Sequence, residues 1–407
     1  MTSERLAEAP WVLNPAFRVQ GSELVNQAEG TRLTLTAPLR ELWERRDAAP
    51  AVHLTQQAEE ALRKVRLIVP PGASAAAIDG LARAAKTTLS LPSGAKAGAA
   101  VWGLIGAPLD LGGPPGPRPK DAVPVVRDAL SRRLRLLDQP TAWSWTLRAR
   151  PGEGLPGVAD HGDLLVNPQT DTGVIAHERL RALVCTVLAQ GHRPLVMGGD
   201  HSVSYPAISA VAGTYPALRV VHFDAHADRR PIGDAATADC GSFVSWVLSE
   251  HPQLEWLTVG VRGVDPHVDM AASPQEEQVS YLTADEACAP DAAEKIAQFC
   301  DGRPVYLTVD IDVLDPTYAP DVVYPSYGGL DPATLTALVR SVVGSGRLVA
   351  ADIVEACPSQ TGRHLAARRL ADLVVAVQLA EAGRTLADHD EEPRQNSMMN
   401  DLAGGRA

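Results

Sequence analysis

A cationic surplus is what this sequence most clearly lacks. Its 37 Lys and Arg are outnumbered by 49 Asp and Glu, giving a formal net charge of -12. Phosphate backbones are bound by Lys and Arg, so this balance speaks against nucleic acid as a partner and points to small molecules or protein. Long apolar runs are missing too. Nothing approaches the ~18 uninterrupted apolar residues of a membrane-spanning helix, and Met1 to Pro10 has no apolar core of the signal-peptide kind. Cysteine is sparse: Cys185, Cys240, Cys288, Cys300 and Cys357. They are odd in number, scattered and without Cys-x-x-Cys spacing, which argues against a disulfide framework or a structural zinc site and fits reduced thiols in a cytoplasmic protein. What the chain has is length, since 407 residues suffice for one large domain and a smaller one.

It also has three stretches in which apolar runs end in carboxylates and imidazoles. Pro194-Leu195-Val196-Met197 leads into Gly198-Gly199-Asp200-His201-Ser202. Leu218-Arg219-Val220-Val221 leads into His222-Phe223-Asp224-Ala225-His226-Ala227-Asp228. Tyr306-Leu307-Thr308-Val309 leads into Asp310-Ile311-Asp312, closed by Leu314-Asp315-Pro316. A parallel α/β sheet presents a site at the carboxyl ends of its strands in this way. Read as extended backbone, Asp224, His226 and Asp228 share one face at period two, as do Asp310 and Asp312. With His201 they offer four carboxylates and two imidazoles, more negative charge than one divalent ion neutralises. Oxygen and imidazole donors without thiolate suit two Mn²⁺, with Co²⁺, Fe²⁺ or Ni²⁺ as other divalent choices. Such a pair lowers the pKa of a shared water towards neutrality and supplies hydroxide. Among the neighbours, His222 reads as a hydrogen-bonded core histidine, Asp200 as a cap for the following helix, and Asp315 as a turn carboxylate.

These three blocks, with Gly103-Leu104-Ile105-Gly106-Ala107-Pro108 upstream and Asp352-Ile353-Val354-Glu355-Ala356-Cys357-Pro358 downstream, resemble in order the signature blocks of the arginase, or ureohydrolase, family. The resemblance covers roughly Ala99 to Arg384. It implies an α/β fold of three layers, α/β/α, around a central parallel sheet, with homo-oligomers as the usual assembly. It also implies that His201, Asp224, Asp228 and Asp310 hold one ion and Asp224, His226, Asp310 and Asp312 the other, with Asp228 also steadying the hydroxide. Glu355, at the end of an apolar strand, can receive two parallel hydrogen bonds from a guanidinium and present its carbon for attack. Asp265, in Gly260-Val261-Arg262-Gly263-Val264-Asp265-Pro266, stands where an arginase aspartate meets the substrate's α-amino group.

Three positions depart from the arginase pattern. Arg230 replaces a small amide near the α-carboxylate, Tyr324 replaces a threonine near the guanidino group, and Cys240 replaces a histidine that handles protons. The Pro-Pro-Gly segment within 112–117 also differs from the family's loop. The expected activity is hydrolysis of a guanidino C–N bond in an arginine-like substrate, free or within a peptide, with Cys240 as a catalytic or pocket-lining thiol. Formimidoylglutamate hydrolases also lack that histidine, which keeps release of formamide as an alternative. A non-catalytic binding protein on the same fold is a third reading, disfavoured because six costly polar groups would have no reason to stay together.

The chain divides as 1–70, 71–98, 99–386 and 387–407. Residues 1–70 read as an N-terminal α+β accessory module, winged-helix-like. Short strands fall near 17–19, 23–25, 31–35 and 67–69, and helices over 38–46 and 55–64. With no site motif in it, the module reads first as an oligomerisation or lid element; it also resembles small domains that bind leader peptides in enzymes modifying ribosomally made peptides, which keeps peptide recognition as the alternative. A helix and linker occupy 71–98, the catalytic domain 99–386, and the polar tail from 387 reads as disordered.

Overall fold

The computed structural model describes residues 101–111, 118–151, 155–166, 171–268 and 278–403, with side chains placed up to Arg384, and little upstream beyond short strands. Eight strands make its centre: β1 Val101–Ala107, β2 Gly157–Asp163, β3 Arg193–Gly198, β4 Arg219–Phe223, β5 Glu255–Val261, β6 Val279–Thr283, β7 Pro304–Asp310 and β8 Arg347–Val354. They form one sheet in the order β6-β5-β4-β7-β8-β3-β1-β2, and every neighbouring pair is parallel. Near-continuous runs such as Leu195-Val196-Met197 and Leu348-Val349-Ala350-Ala351 suit a sheet buried on both faces.

The helices are α1 Val123–Leu137, α2 Gly173–Ala189, α3 Ser204–Thr214, α4 Phe243–Glu250, α5 Ala284–Ala287, α6 Ala292–Cys300, α7 Pro332–Ser345 and α8 Leu365–Ala403. Alternate strand residues send side chains to opposite faces. Trp102, Leu195, Val221 and Leu307 pack with α1, α6, α7 and α8, while Ile105, Val196, Val220 and Tyr306 pack with α2, α3 and α4. The expected three-layer α/β/α architecture is therefore what forms. Local signals fix the helix starts. Asp331 caps α7 by accepting from Ala333 and Thr334 N–H at 2.8 and 2.9 Å, and Thr283 and Glu286 close a capping box on α5, each cap worth ~1 kcal/mol.

Upstream, Arg18–Gln20, Glu23–Asn26 and Thr31–Thr34 form a three-stranded antiparallel sheet, and Val12–Leu13 pairs with Ile68–Val69. The helices expected over 38–46 and 55–64, the segment 71–98 and the loop at 112–117 lie outside the described residues. At the other end α8 continues to Ala403, past the boundary at 387 from which a disordered tail is expected. Glu, Gln, Arg, Met and Ala are good helix formers and here outweigh Pro393. Among the described residues no helix is long and apolar enough to cross a membrane.

Candidate metal centre

Four neighbouring strands at the middle of the sheet, β4-β7-β8-β3, deliver the site at their carboxyl ends. Phe223 is level with Val309 and Asp310 with Val354, so Asp224, Asp310 and Glu355 leave the sheet side by side. His201 enters from β3 through a turn that needs Gly199. A Cβ there would lie 1.9 Å from the Leu109 carbonyl oxygen, so only glycine lets the two backbones meet.

The carboxylates converge by a different route from the one their spacing suggests. Extended backbone ends at Phe223, and Asp224 Oδ1 accepts the N–H of His226 at 2.6 Å. After β7, Asp310 Oδ1 accepts the N–H of Asp312 at 2.8 Å, opening a 3₁₀ turn over Ile311–Val313. Both motifs are thus Asx turns, in which a short carboxylate captures the amide two residues on. The expected period-two face is replaced by a pair of matching turns. Asp228 and Glu355 have φ of +50° and +65°, a left-handed conformation that costs non-glycine residues ~1–3 kcal/mol and collects at functional sites.

His201 Nδ1 faces Asp224 Oδ2 at 3.0 Å, Asp228 Oδ2 at 3.2 Å and Asp310 Oδ2 at 3.3 Å. His226 Nδ1 faces Asp312 Oδ2 at 3.1 Å and Asp224 Oδ1 at 3.3 Å. All six side chains singled out by the sequence therefore meet, Asp224 lying between the two imidazoles. Ligand atoms of His201, Asp224 and Asp228, and those of Asp224, His226 and Asp312, lie within 4.8 Å of one another. Although wholly buried, His201 Nδ1 has no hydrogen-bond partner. A lone pair aimed at three carboxylate oxygens is satisfied by a cation among them, so the donor set fits a pair of divalent ions.

The proton affinities carry the same message. Burial alone would lower the His226 pKa, but its hydrogen bonds and charge contacts with Asp224 and Asp312 prevail and raise it to about 12. Burial, then the charge of Asp224, pushes the Asp228 carboxyl up to about 7.

An open cleft of about 740 Å³ lies above this floor, lined by His226, Asp228, Asp310, Asp312 and Glu355 and also by Arg230, Cys240, Asp265 and Tyr324. Every site residue proposed from sequence thus reaches one space, except His201 and Asp224, which are buried beneath it. Glu355 Oε1 accepts the N–H of His201 at 2.7 Å, leaving Oε2 and a second lone pair for a ligand. Arg230 forms an ion pair with Asp239, both partly exposed. The Tyr324 ring stands edge-on to His226 at 6.4 Å. Asp265 Oδ1 accepts from His267 N–H at 2.8 Å. Burial first, then the carboxylates of Glu355, Asp200 and Asp228, push the Cys240 thiol up. It is a neutral thiol at pH 7, able to donate a hydrogen bond and unable to act as a thiolate.

His222 is a core histidine as expected, its Nε2 bonded to Asp224 Oδ2 at 2.8 Å and its Nδ1 3.3 Å from Thr258 Oγ1. Asp315 is a turn carboxylate, receiving Thr317 and Gly328 N–H at 3.0 and 2.9 Å. Asp200 departs from expectation. Its side chain makes no helix cap and instead accepts Leu111 N–H at 2.6 Å and Ser202 Oγ–H at 2.5 Å, because a buried carboxylate takes the nearest strong donors. Sequence reasoning missed Arg262, which donates to the carbonyls of Asp312 and Ser326 at 2.7 and 2.8 Å and clamps the loop behind β7. It also gave no role to Phe243, stacked on His201 at 4.2 Å.

With this geometry in view, the sequence model of the arginase family matches residues 100–379. An agmatinase from Serratia proteamaculans (strain 568) is 30% identical over 293 residues, which are 70% of this chain and 89% of that protein. Proclavaminate amidino hydrolase from Streptomyces clavuligerus superposes with a TM-score of 0.59 at 28% identity, covering 73% of this chain and 96% of that one. Formimidoylglutamase from Bacillus subtilis subsp. subtilis str. 168 superposes with a TM-score of 0.57 at 25% identity, covering 70% and 88%.

Proposed function

The chain belongs to the arginase family, and from that premise we propose that it hydrolyses the guanidino C–N bond of an arginine-like substrate, free or carried by a peptide, to urea and an amine. The observation that carries this reading is Glu355, a buried carboxylate with Oε2 free at the floor of the same cleft that holds the paired cluster. His201, Asp224, Asp228 and Asp310 would hold one Mn²⁺, and Asp224, His226, Asp310 and Asp312 the second. When bound, the pair supplies a nucleophilic hydroxide at neutral pH.

The remaining work falls to side chains. Glu355 receives the guanidinium through charged hydrogen bonds and fixes its plane. Asp228 accepts a hydrogen bond from the nucleophile and holds it in line. Cys240, neutral and beside Glu355, donates towards the departing amine. Asp265 meets a cationic amine at the outer end of the substrate, and Arg230 a carboxylate. Tyr324 closes the side of the cleft beside His226.

Two observations favour a second reading, a formimino substrate that yields formamide. Cys240 occupies the place of an imidazole, and Arg230 adds a cation suited to a carboxylate-rich ligand. A substrate panel separates the two: arginine, agmatine, 4-guanidinobutyrate, arginine-containing peptides and formiminoglutamate, assayed for urea and for formamide. Urea from a guanidino compound supports the first reading; formamide alone supports the second. A metal-free preparation that cannot be loaded with about two ions per chain would return the protein to a binding role. If the thiol handles protons, Cys240→His raises turnover of arginine, and unchanged or lower turnover counts against that role.

Residues 1–70 lie outside the family match, which supports an accessory part for them in peptide recognition or homo-oligomer assembly. Free cysteines support a cytoplasmic setting.

A further inference from the structure

Beneath the cleft, on the sheet face that carries α3, lies a chain of polar side chains to which the reaction assigns no role. The Tyr306 hydroxyl donates to Asp352 Oδ2 at 2.6 Å, and the Thr308 hydroxyl donates to Asp352 Oδ1 at 2.6 Å. Thr308 Oγ1 lies 2.9 Å from His201 Nε2 and 3.4 Å from Ser204 Oγ. Tyr306, Thr308, His201 and Asp352 are all fully buried, so no solvent competes for these bonds.

A threonine hydroxyl has one proton to give. Since Thr308 gives its proton to Asp352, it can only accept from His201. The imidazole must then carry its proton on Nε2, which leaves Nδ1 unprotonated towards Asp224, Asp228 and Asp310. We propose that Asp352 is a positioning residue that selects the ligating tautomer of His201 through Thr308. The inference rests on the reading of His201 as a metal ligand and extends it to a carboxylate with no access to the cleft. Burial raises the Asp352 carboxyl against the pull of His201, Thr308 and Tyr306; what carries the inference is the geometry, a hydroxyl donor on each of its two oxygens.

Asp352→Asn keeps the shape and reverses the chain. A carboxamide facing Thr308 with its NH₂ makes the hydroxyl accept from it and donate to His201 Nε2, which moves the imidazole proton to Nδ1. Thr308→Val deletes the link without changing volume, and Thr308→Ser retains it.

The test measures manganese binding by calorimetry and metal content after dialysis, with imidazole ¹⁵N spectra to read the tautomer. Expected are a ~10–100-fold loss of affinity for one of the two ions in Asp352→Asn and Thr308→Val, as for other partners of ligating histidines, and near-native affinity in Thr308→Ser. The His201 resonance should change to the Nδ1-protonated form in Asp352→Asn. If Asp352→Asn binds both ions within twofold of the parent chain, or if Thr308→Val and Thr308→Ser behave alike, the inference is overturned. Should Asp352→Asn not fold, the valine and serine variants decide alone. A parent chain that takes up no metal would instead bring down the hydrolase reading.

Discussion

The floor and the wall of the cleft are built by opposite means. On the floor, His201 and Asp224 are fully buried, and Asp310, Asp312 and Glu355 are at most 5% exposed. Each leaves the end of a sheet strand or the turn that follows it, with hydrogen bonds behind it. On the wall, the Arg230 side chain is 46% exposed, Tyr324 43% and Val264 96%, and loops carry all three. A parallel sheet fixes positions to fractions of an ångström, whereas loops vary without disturbing it. On the proposed function, the floor would set which bond is broken and the wall which molecule carries that bond.

The sharpest way to break this contrast is on the floor. Asp224→Asn can keep the turn to His226 but removes the charge shared by both imidazoles, so metal content should fall to near zero and turnover to background. A variant that keeps both ions would erase the distinction. Next, Glu355→Gln should lower kcat/KM for guanidino substrates by about 10–100-fold, the worth of a charged hydrogen bond at ~1.5–3 kcal/mol, with metal content unchanged. Arg230→Met, on the wall, should raise KM about 5–10-fold for compounds bearing a carboxylate and leave agmatine unaffected, since a partly exposed charge contributes ~1 kcal/mol. An equal effect on both compounds would show that Arg230 shapes the wall without reading charge.

The smallest effect concerns metal-free protein and pH. Asp228, raised to about 7, and His226, raised to about 12, bind protons more tightly folded than unfolded. For both, stability is lost as pH rises, through ~4–7 for Asp228 and above ~6.5 for His226. The melting temperature of the stripped protein should therefore fall by a few degrees between pH 5 and 8, and added Mn²⁺ should restore most at the higher pH. A flat profile would mean that the cluster is not closed without its cations.

The same contrast explains what could be read from the sequence. Asp224, His226, Asp228, Asp310 and Asp312 were legible because a local pattern of short polar residues follows an apolar strand, even though Asx turns and not an extended face bring them together. Asp352 and Thr308 lie inside the family-like blocks, but nothing local says that residues 44 apart share a hydrogen bond; only pairing of β7 with β8 makes them neighbours. Arg262 was likewise hidden, since its partners are backbone carbonyls without a sequence signature. The wall residues could be located but not given an occupant, because an exposed side chain on a loop takes its meaning from the molecule it meets. α8 continues to Ala403 across the polar stretch from 387, where helix propensity persists after the apolar patterning ends.

The order of strands also dictates when the protein becomes competent. β3 and β4 follow one another in the chain but are separated in the sheet by β8 and β7, the last two of the eight strands in chain order. Until β8 emerges, β2-β1-β3 and β6-β5-β4 have no shared edge. At ~5–20 residues per second, the interval from the end of β3 to the end of β8 is roughly 8–30 s of synthesis. In that interval the strand ends that carry His201 and Asp224 have no sheet neighbour in common, so the complete ligand set, which includes Asp310 and Asp312 after β7, comes together only late in synthesis.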